Sequence, residues 1–213
     1  IEKSMKKKFN NILIIDTGLG NLNSISKCIE TLGFKYEIIS KPHTNKNFEK
    51  IIFPGVGSYS EAMKIISKKC WDKFLKKNII EKKNFFLGIC LGMQILSNYG
   101  YENKSTKGLG FIEGNVKCLS DLKCKQKIPH VGWNDIKINS NNILFNGIDN
   151  YSDFYFDHSY VFQVDNKNDI SSTCEYDISF VSSVNKGNIF GTQFHPEKSS
   201  ENGKKVLSNF LNI

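Results

Sequence analysis

Two stretches about a hundred residues apart carry side chains able to do covalent chemistry. The first is Asn84-Phe85-Phe86-Leu87-Gly88-Ile89-Cys90-Leu91-Gly92-Met93-Gln94. Phe85 to Ile89 reads as a buried strand, and Met93 to Tyr99 as the helix that follows. Between them a cysteine sits with Gly88 and Gly92 on either side, the thiol version of a nucleophile elbow. A nucleophile on a sharp strand-to-helix turn is pushed out of the sheet edge towards a substrate. Flanking glycines remove the side chains that would clash with a strained backbone. The helix behind the turn aims free N–H groups and the positive end of its dipole at the sulfur, which favours thiolate. The N–H of Leu91 is placed to bond an oxyanion. A buried structural cysteine in a packed turn fits the same residues, since free cysteine is among the most buried types.

The second stretch is Gln193-Phe194-His195-Pro196-Glu197-Lys198-Ser199. A thiol needs a base to become thiolate and an acid to protonate a leaving amine, and histidine does both near neutral pH. Residues two apart in an extended segment face the same way, so Glu197 can orient His195. A surface turn with a capping histidine fits His-Pro-Glu too. A third element, Pro54-Gly55-Val56-Gly57, follows an apolar run. Glycines there let backbone N–H groups face an anion, unless the segment is an ordinary tight turn.

Taken together, these residues resemble the class I (triad) glutamine amidotransferases in type, order and approximate spacing. Within that family the resemblance is to the glutaminase subunits of imidazole glycerol phosphate synthase, in histidine biosynthesis. It runs from about Asn11 to the C-terminus. Its further carriers are Asp16-Thr17-Gly18-Leu19-Gly20-Asn21-Leu22 and Pro129-His130-Val131-Gly132-Trp133-Asn134. The resemblance implies a flavodoxin-like fold and a Cys90, His195 and Glu197 triad that hydrolyses L-glutamine through a thioester. Gly55, Val56, Gly57 and Leu91 would serve the oxyanion. Gln94, Ser159 and Tyr160 would hold the glutamine. Asn21, Pro129, His130, Trp133 and Lys198 match positions near an interface with a (β/α)8 barrel cyclase subunit, the partner in a heterodimer that receives the ammonia. No cofactor or metal is implied. Departures are Thr17, Asp157 beside His158, and Phe180-Val181-Ser182-Ser183-Val184. A paralogous subunit feeding ammonia to a sugar-modifying synthetase would look much the same. A stand-alone cysteine hydrolase of this fold would act without a partner, and a non-catalytic subunit would be expected to lose a triad member.

The elements that must position these groups alternate in the first half. Strands are expected at Ile12 to Asp16, Tyr36 to Ile39 and Ile51 to Phe53, and helices over Leu22 to Leu32, Glu61 to Ile66 and Trp71 to Ile80. Such alternation predicts a mostly parallel sheet with helices on both faces, with ligands at the carboxyl ends of the strands. The second half predicts short strands: 115–119, 134–138, 154–156, 171–176, 180–184 and 189–194. The last two make a hairpin, and a helix closes the chain from about Glu201 to Leu211. The expectation is an α/β fold with an antiparallel extension, one domain over 11–213.

With 213 residues, 39% hydrophobic and 23% charged, the chain can bury a sizeable core. The net charge is +8, and every basic residue is lysine. Dispersed lysines without arginine forks argue against a nucleic-acid partner. No apolar run approaches a membrane span. Six cysteines without a C-x-x-C pair, after a polar start with no export signal, predict reduced thiols in a cytoplasm. Residues 1–10 read as an extension, with Met5 as natural start and 1–4 foreign. His43 matches nothing and reads as a surface residue.

Overall fold

The computed structural model describes residues 11–20, 22–42, 46–139 and 142–213. The N-terminal extension, Asn21 and His43 lie outside these residues. The first half runs β1 (Ile12–Ile15), α1 (Leu22–Thr31), β2 (Tyr36–Ile39), β3 (Lys50–Gly55), α2 (Tyr59–Lys68), α3 (Trp71–Leu75), β4 (Phe85–Cys90) and α4 (Leu91–Gln94). The second runs β5 (Tyr99–Gly100), β6 (Thr106–Lys107), β7 (Gly114–Cys118), β8 (His130–Ile138), β9 (Ser152–His158), β10 (Tyr160–Val164), β11 (Ile170–Tyr176), β12 (Ile178–Lys186), β13 (Ile189–Thr192) and α5 (Ser200–Leu211).

Nine strands form one sheet in the order β2-β1-β3-β4-β13-β12-β11-β8-β9. The β2-β1-β3-β4-β13 half is parallel and the rest antiparallel, as the sequence predicts. A continuously apolar strand such as Ile12–Ile15 has to be covered on both faces. Its alternate residues divide accordingly. Ile12 and Ile14 pack with Ile25 and Ile29 of α1 and Val206 and Phe210 of α5. Leu13 and Ile15 pack with Ala62 and Ile66 of α2 and Trp71 and Phe74 of α3. Among the described residues no helix is long and apolar enough to cross a membrane.

Three elements differ from expectation. The helix after Cys90 stops at Gln94 instead of reaching Tyr99, because Asn98 N–H donates to the Gly114 carbonyl and Tyr99–Gly100 pairs with β7. The 71–80 helix is α-helical only to Leu75 and widens to a π-helix over Lys76–Glu81. The strand expected at 134–138 begins at His130, so His130 and Trp133 belong to β8 and not to a loop. A second sheet, β10-β7-β5-β6, uses Tyr160–Val164 as a strand that local patterning missed.

Candidate active site

Sheet register brings the chemistry together. Gly55 at the end of β3 lies opposite Cys90 at the end of β4. Thr192 of β13 lies opposite Ile89, so the chain beyond it emerges beside the cysteine. Cys90 adopts φ 54°, ψ −108°, a conformation rare for a residue with a side chain. The flanking glycines permit it by contact as well as by torsion. A Cβ on Gly88 would meet the Gly92 carbonyl oxygen at 2.2 Å, and one on Gly92 would meet the Phe53 carbonyl oxygen at 2.0 Å. The thiol is 5% exposed.

His195 is anchored through its backbone. Its N–H donates to the Tyr155 carbonyl of β9 at 2.9 Å, and its own carbonyl accepts from the Ser199 hydroxyl at 2.6 Å. Ser199 in turn accepts from Tyr155 N–H at 3.0 Å, tying the turn to β9. On the side chain, His195 Nδ1 lies 2.8 Å from Glu197 Oε1, with both groups buried. Nε2 is buried and without a hydrogen bond, which leaves it available to a reacting group. Burial opposes charge on His195, yet the neighbouring Cys90 and Glu197 outweigh it and hold the imidazolium well above its usual range.

Two more partners meet the sulfur. Cys90 Sγ donates to the Asp157 carbonyl at 3.8 Å and accepts from Gln193 Nε2 at 3.6 Å. Gln193 is fully buried. It was legible in principle: two residues before His195 on an extended segment, it faces the same side. The carbonyl of Asp157 had no sequence signal. Gln94 is buried, and its Nε2 donates to the Tyr160 carbonyl at 2.9 Å and to Gln193 Oε1 at 3.1 Å. Any hold on a ligand's donors therefore falls to its Oε1. Ser159 contributes its carbonyl to Leu119 N–H.

The cleft between Pro54-Gly55-Val56 and His195-Glu197-Lys198 is about 10 Å³, no more than one water needs. Val56 N–H donates to the Leu19 carbonyl at 3.0 Å and is thus engaged away from an oxyanion. Gly57 has φ 99° with open space around its Cα, so the loop has room to turn. Larger hollows, about 850 and 1020 Å³ and rimmed by lysines, share no residue with this cleft.

The residues matched to an interface separate. Trp133 is 52% exposed and Val131 54%, on the strand beside β9. Trp133 packs edge-on against Tyr155, over which Lys198 Nζ sits at 5.3 Å. Pro129 is exposed. His130 is buried at 3% exposure and cannot touch a partner as the structure stands. Its neighbours in β8 point to the opposite face, and its ring instead stacks on Tyr176 and Phe156.

Residues 13–213 match the profile of the glutamine amidotransferase class-I family. The chain is 45% identical over 204 residues to imidazole glycerol phosphate synthase subunit HisH 1 of Campylobacter jejuni, covering 95% of this chain and all of that one. It is 39% identical over 207 residues to the corresponding HisH subunit of Pelagibacter ubique, again covering 95% of this chain and all of that one. Among solved structures, PurLQS from Thermotoga maritima superposes with a TM-score of 0.75 at 20% identity, covering 96% of this chain and 98% of that one, a likeness of fold.

Proposed function

The chain belongs to the class I glutamine amidotransferase family, and from that premise we propose that it is the glutaminase subunit of an imidazole glycerol phosphate synthase, supplying ammonia to a (β/α)8 cyclase subunit in histidine biosynthesis. The observation that carries the reading is the buried 2.8 Å contact of His195 with Glu197, beside a cysteine held at positive φ. Full-length similarity to HisH subunits supports the pathway.

In this reading His195 Nε2 takes the Cys90 proton and the thiolate attacks the side-chain amide carbon of glutamine. The C–N bond of the tetrahedral intermediate breaks as His195 returns the proton to nitrogen, and ammonia departs. Water, deprotonated by His195, then attacks the thioester, giving glutamate and the free thiol. Glu197 keeps the proton on Nδ1 and offsets the imidazolium charge. The oxyanion falls to the Leu91 N–H, at the start of a helix where N–H groups lack intrahelical partners, and to an N–H of Val56 or Gly57. Gln94 Oε1 and the Ser159–Tyr160 backbone hold the substrate.

The closed cleft and the Val56–Leu19 bond describe a resting state. Productive binding requires the 55–57 loop to turn and open. Partner docking on the Trp133, Tyr155 and Lys198 face, next to β9, supplies differential contacts for that change. The test is glutamate release from glutamine, with and without the cyclase subunit and its ribonucleotide substrate. Strong stimulation that vanishes in Cys90→Ala is expected. Full stimulated activity in Cys90→Ala overturns the chemistry. Absence of stimulation, with Cys90 still labelled by a glutamine-analogue electrophile, overturns the pathway and points to a sugar-modifying synthetase as partner.

A further inference from the structure

Behind the nucleophile lies a chain of hydrogen bonds that the triad does not use. Its fixed point is the Tyr160 carbonyl, which can only accept. Gln94 must therefore present its nitrogen to it, at 2.9 Å. That nitrogen can only donate, so Gln193 must turn its Oε1 towards it, at 3.1 Å. The Gln193 amide nitrogen is then left facing Cys90 Sγ, at 3.6 Å.

The same carbonyl also sets the other arm. His158 Nδ1 lies 3.1 Å from it and must carry the proton, which makes Nε2 an acceptor. His130 Nδ1 lies 3.1 Å from that Nε2 and must donate to it. His130 Nε2 then accepts from Asn134 Nδ2 at 3.5 Å, and Asn134 Oδ1 accepts the N–H of Asp135. Every proton direction from β8 to the sulfur follows from one acceptor.

We propose that Gln193 is a further catalytic residue, whose amide donates a hydrogen bond to the Cys90 sulfur and favours thiolate, and that the neutral His130–His158 pair positions it by holding the Tyr160 carbonyl. This rests on the reading of Cys90 as nucleophile. The resting thiol donates to the Asp157 carbonyl, a contact that only the protonated sulfur can make. Gln193 opposes it with the one contact that strengthens when the proton leaves. Around the pair stand Tyr176, stacked on His130, then Phe156 and Phe180. Burial, first, and then positive charge on His130 or His195 oppose a proton on His158.

The test follows alkylation of Cys90 by iodoacetamide across pH, read by peptide mass spectrometry on the full chain. Gln193→Met keeps the length and removes the donor. It is expected to slow alkylation at neutral pH roughly tenfold and to shift the profile upward, as for one lost bond to a charged acceptor. His158→Phe is expected to slow it severalfold, and His158→Asn, which restores a donor near the Nδ1 position, to recover it. A Gln193→Met profile within twofold of the unaltered chain at every pH overturns the donor's role. Equal loss in His158→Phe and His158→Asn overturns the positioning role. Should a variant not fold, ¹⁵N-histidine NMR of the unaltered chain decides. Neutral Nδ1–H tautomers of both histidines from pH 6 to 8 are expected, and an Nε2–H tautomer or a charged ring overturns the proposal. Failure of a glutamine-analogue electrophile to label Cys90 in the unaltered chain is instead the failure of the glutaminase reading.

Discussion

Gly92→Ala tests whether the elbow is built by contact. The added Cβ would sit 2.0 Å from the Phe53 carbonyl oxygen, which is backbone of β3 and has no rotamer to escape into. Ordinary contact begins near 3.4 Å, so the start of α4 and the end of β3 must part by on the order of 1 Å. Overpacking of this kind costs about 1–3 kcal/mol of stability. The activity loss is expected to be larger than that implies. Phe53 is two residues before Gly55, which lies opposite Cys90, so the shift separates the nucleophile from the oxyanion loop. A misplacement of about 1 Å costs roughly 100-fold in rate. The assays are urea unfolding and partner-stimulated glutamate release at saturating glutamine. Gly187→Ala in the β12–β13 turn is the control. At φ 61° with nothing within 4 Å, it is expected to cost about 1 kcal/mol and leave the rate unchanged. A Gly92→Ala protein within threefold of the unaltered rate and within about 0.5 kcal/mol of its stability would refute the contact argument.

Glu197→Gln removes the charge that orients and supports His195 while keeping its volume; stimulated glutamate release is expected to fall about 10²- to 10⁴-fold with little change in fold, and a loss under tenfold contradicts the triad role. Burial holds His130 down to about 4 and His158 down to about 3. Both stay neutral when folded while the unfolded chain protonates them near 6.5, so their stability is complete above pH 6.5 and is lost as pH falls towards 4. The slope approaches about 1.4 kcal/mol per pH unit for each histidine. His195 has the opposite sign and acts above pH 6.5, so urea unfolding between pH 6 and 4.5 isolates the pair. His158→Phe should flatten that slope by one histidine's share, and an unchanged slope contradicts it. Trp133→Ala, at a half-exposed side chain, should change stability by less than about 1 kcal/mol yet weaken cyclase binding by about 2 kcal/mol or more, measured by calorimetry; equal affinity removes Trp133 from the interface.

Local patterning was sufficient where one segment carries its own reason. The apolar runs at 12–15 and 85–90 announce strands covered on both faces, and Gly88 and Gly92 announce the elbow, because a missing Cβ is visible in one letter. The hairpin at Lys186-Gly187-Asn188 was legible from its turn residues for the same reason. It failed where a distant backbone wins. Nothing in Met93 to Tyr99 says that Asn98 will bond Gly114 and end the helix, and nothing in Tyr160 to Val164 says that it pairs with β7.

The residue types and order of the site were set by the sequence itself: a cysteine between glycines, a His-x-Glu a hundred residues on, and a glycine loop between sheet and helix. Their juxtaposition was decided only by tertiary structure, since the register Gly55↔Cys90 and Thr192↔Ile89 is a property of paired strands. So was the fate of His130, which family likeness placed near a partner and packing placed in the core. So was the direction of every proton between Asn134 and the Cys90 sulfur. A hydrogen-bond chain takes its polarity from its one obligate acceptor, and the Tyr160 carbonyl becomes that acceptor only when β8, β9, β10 and the nucleophile's helix are folded against each other.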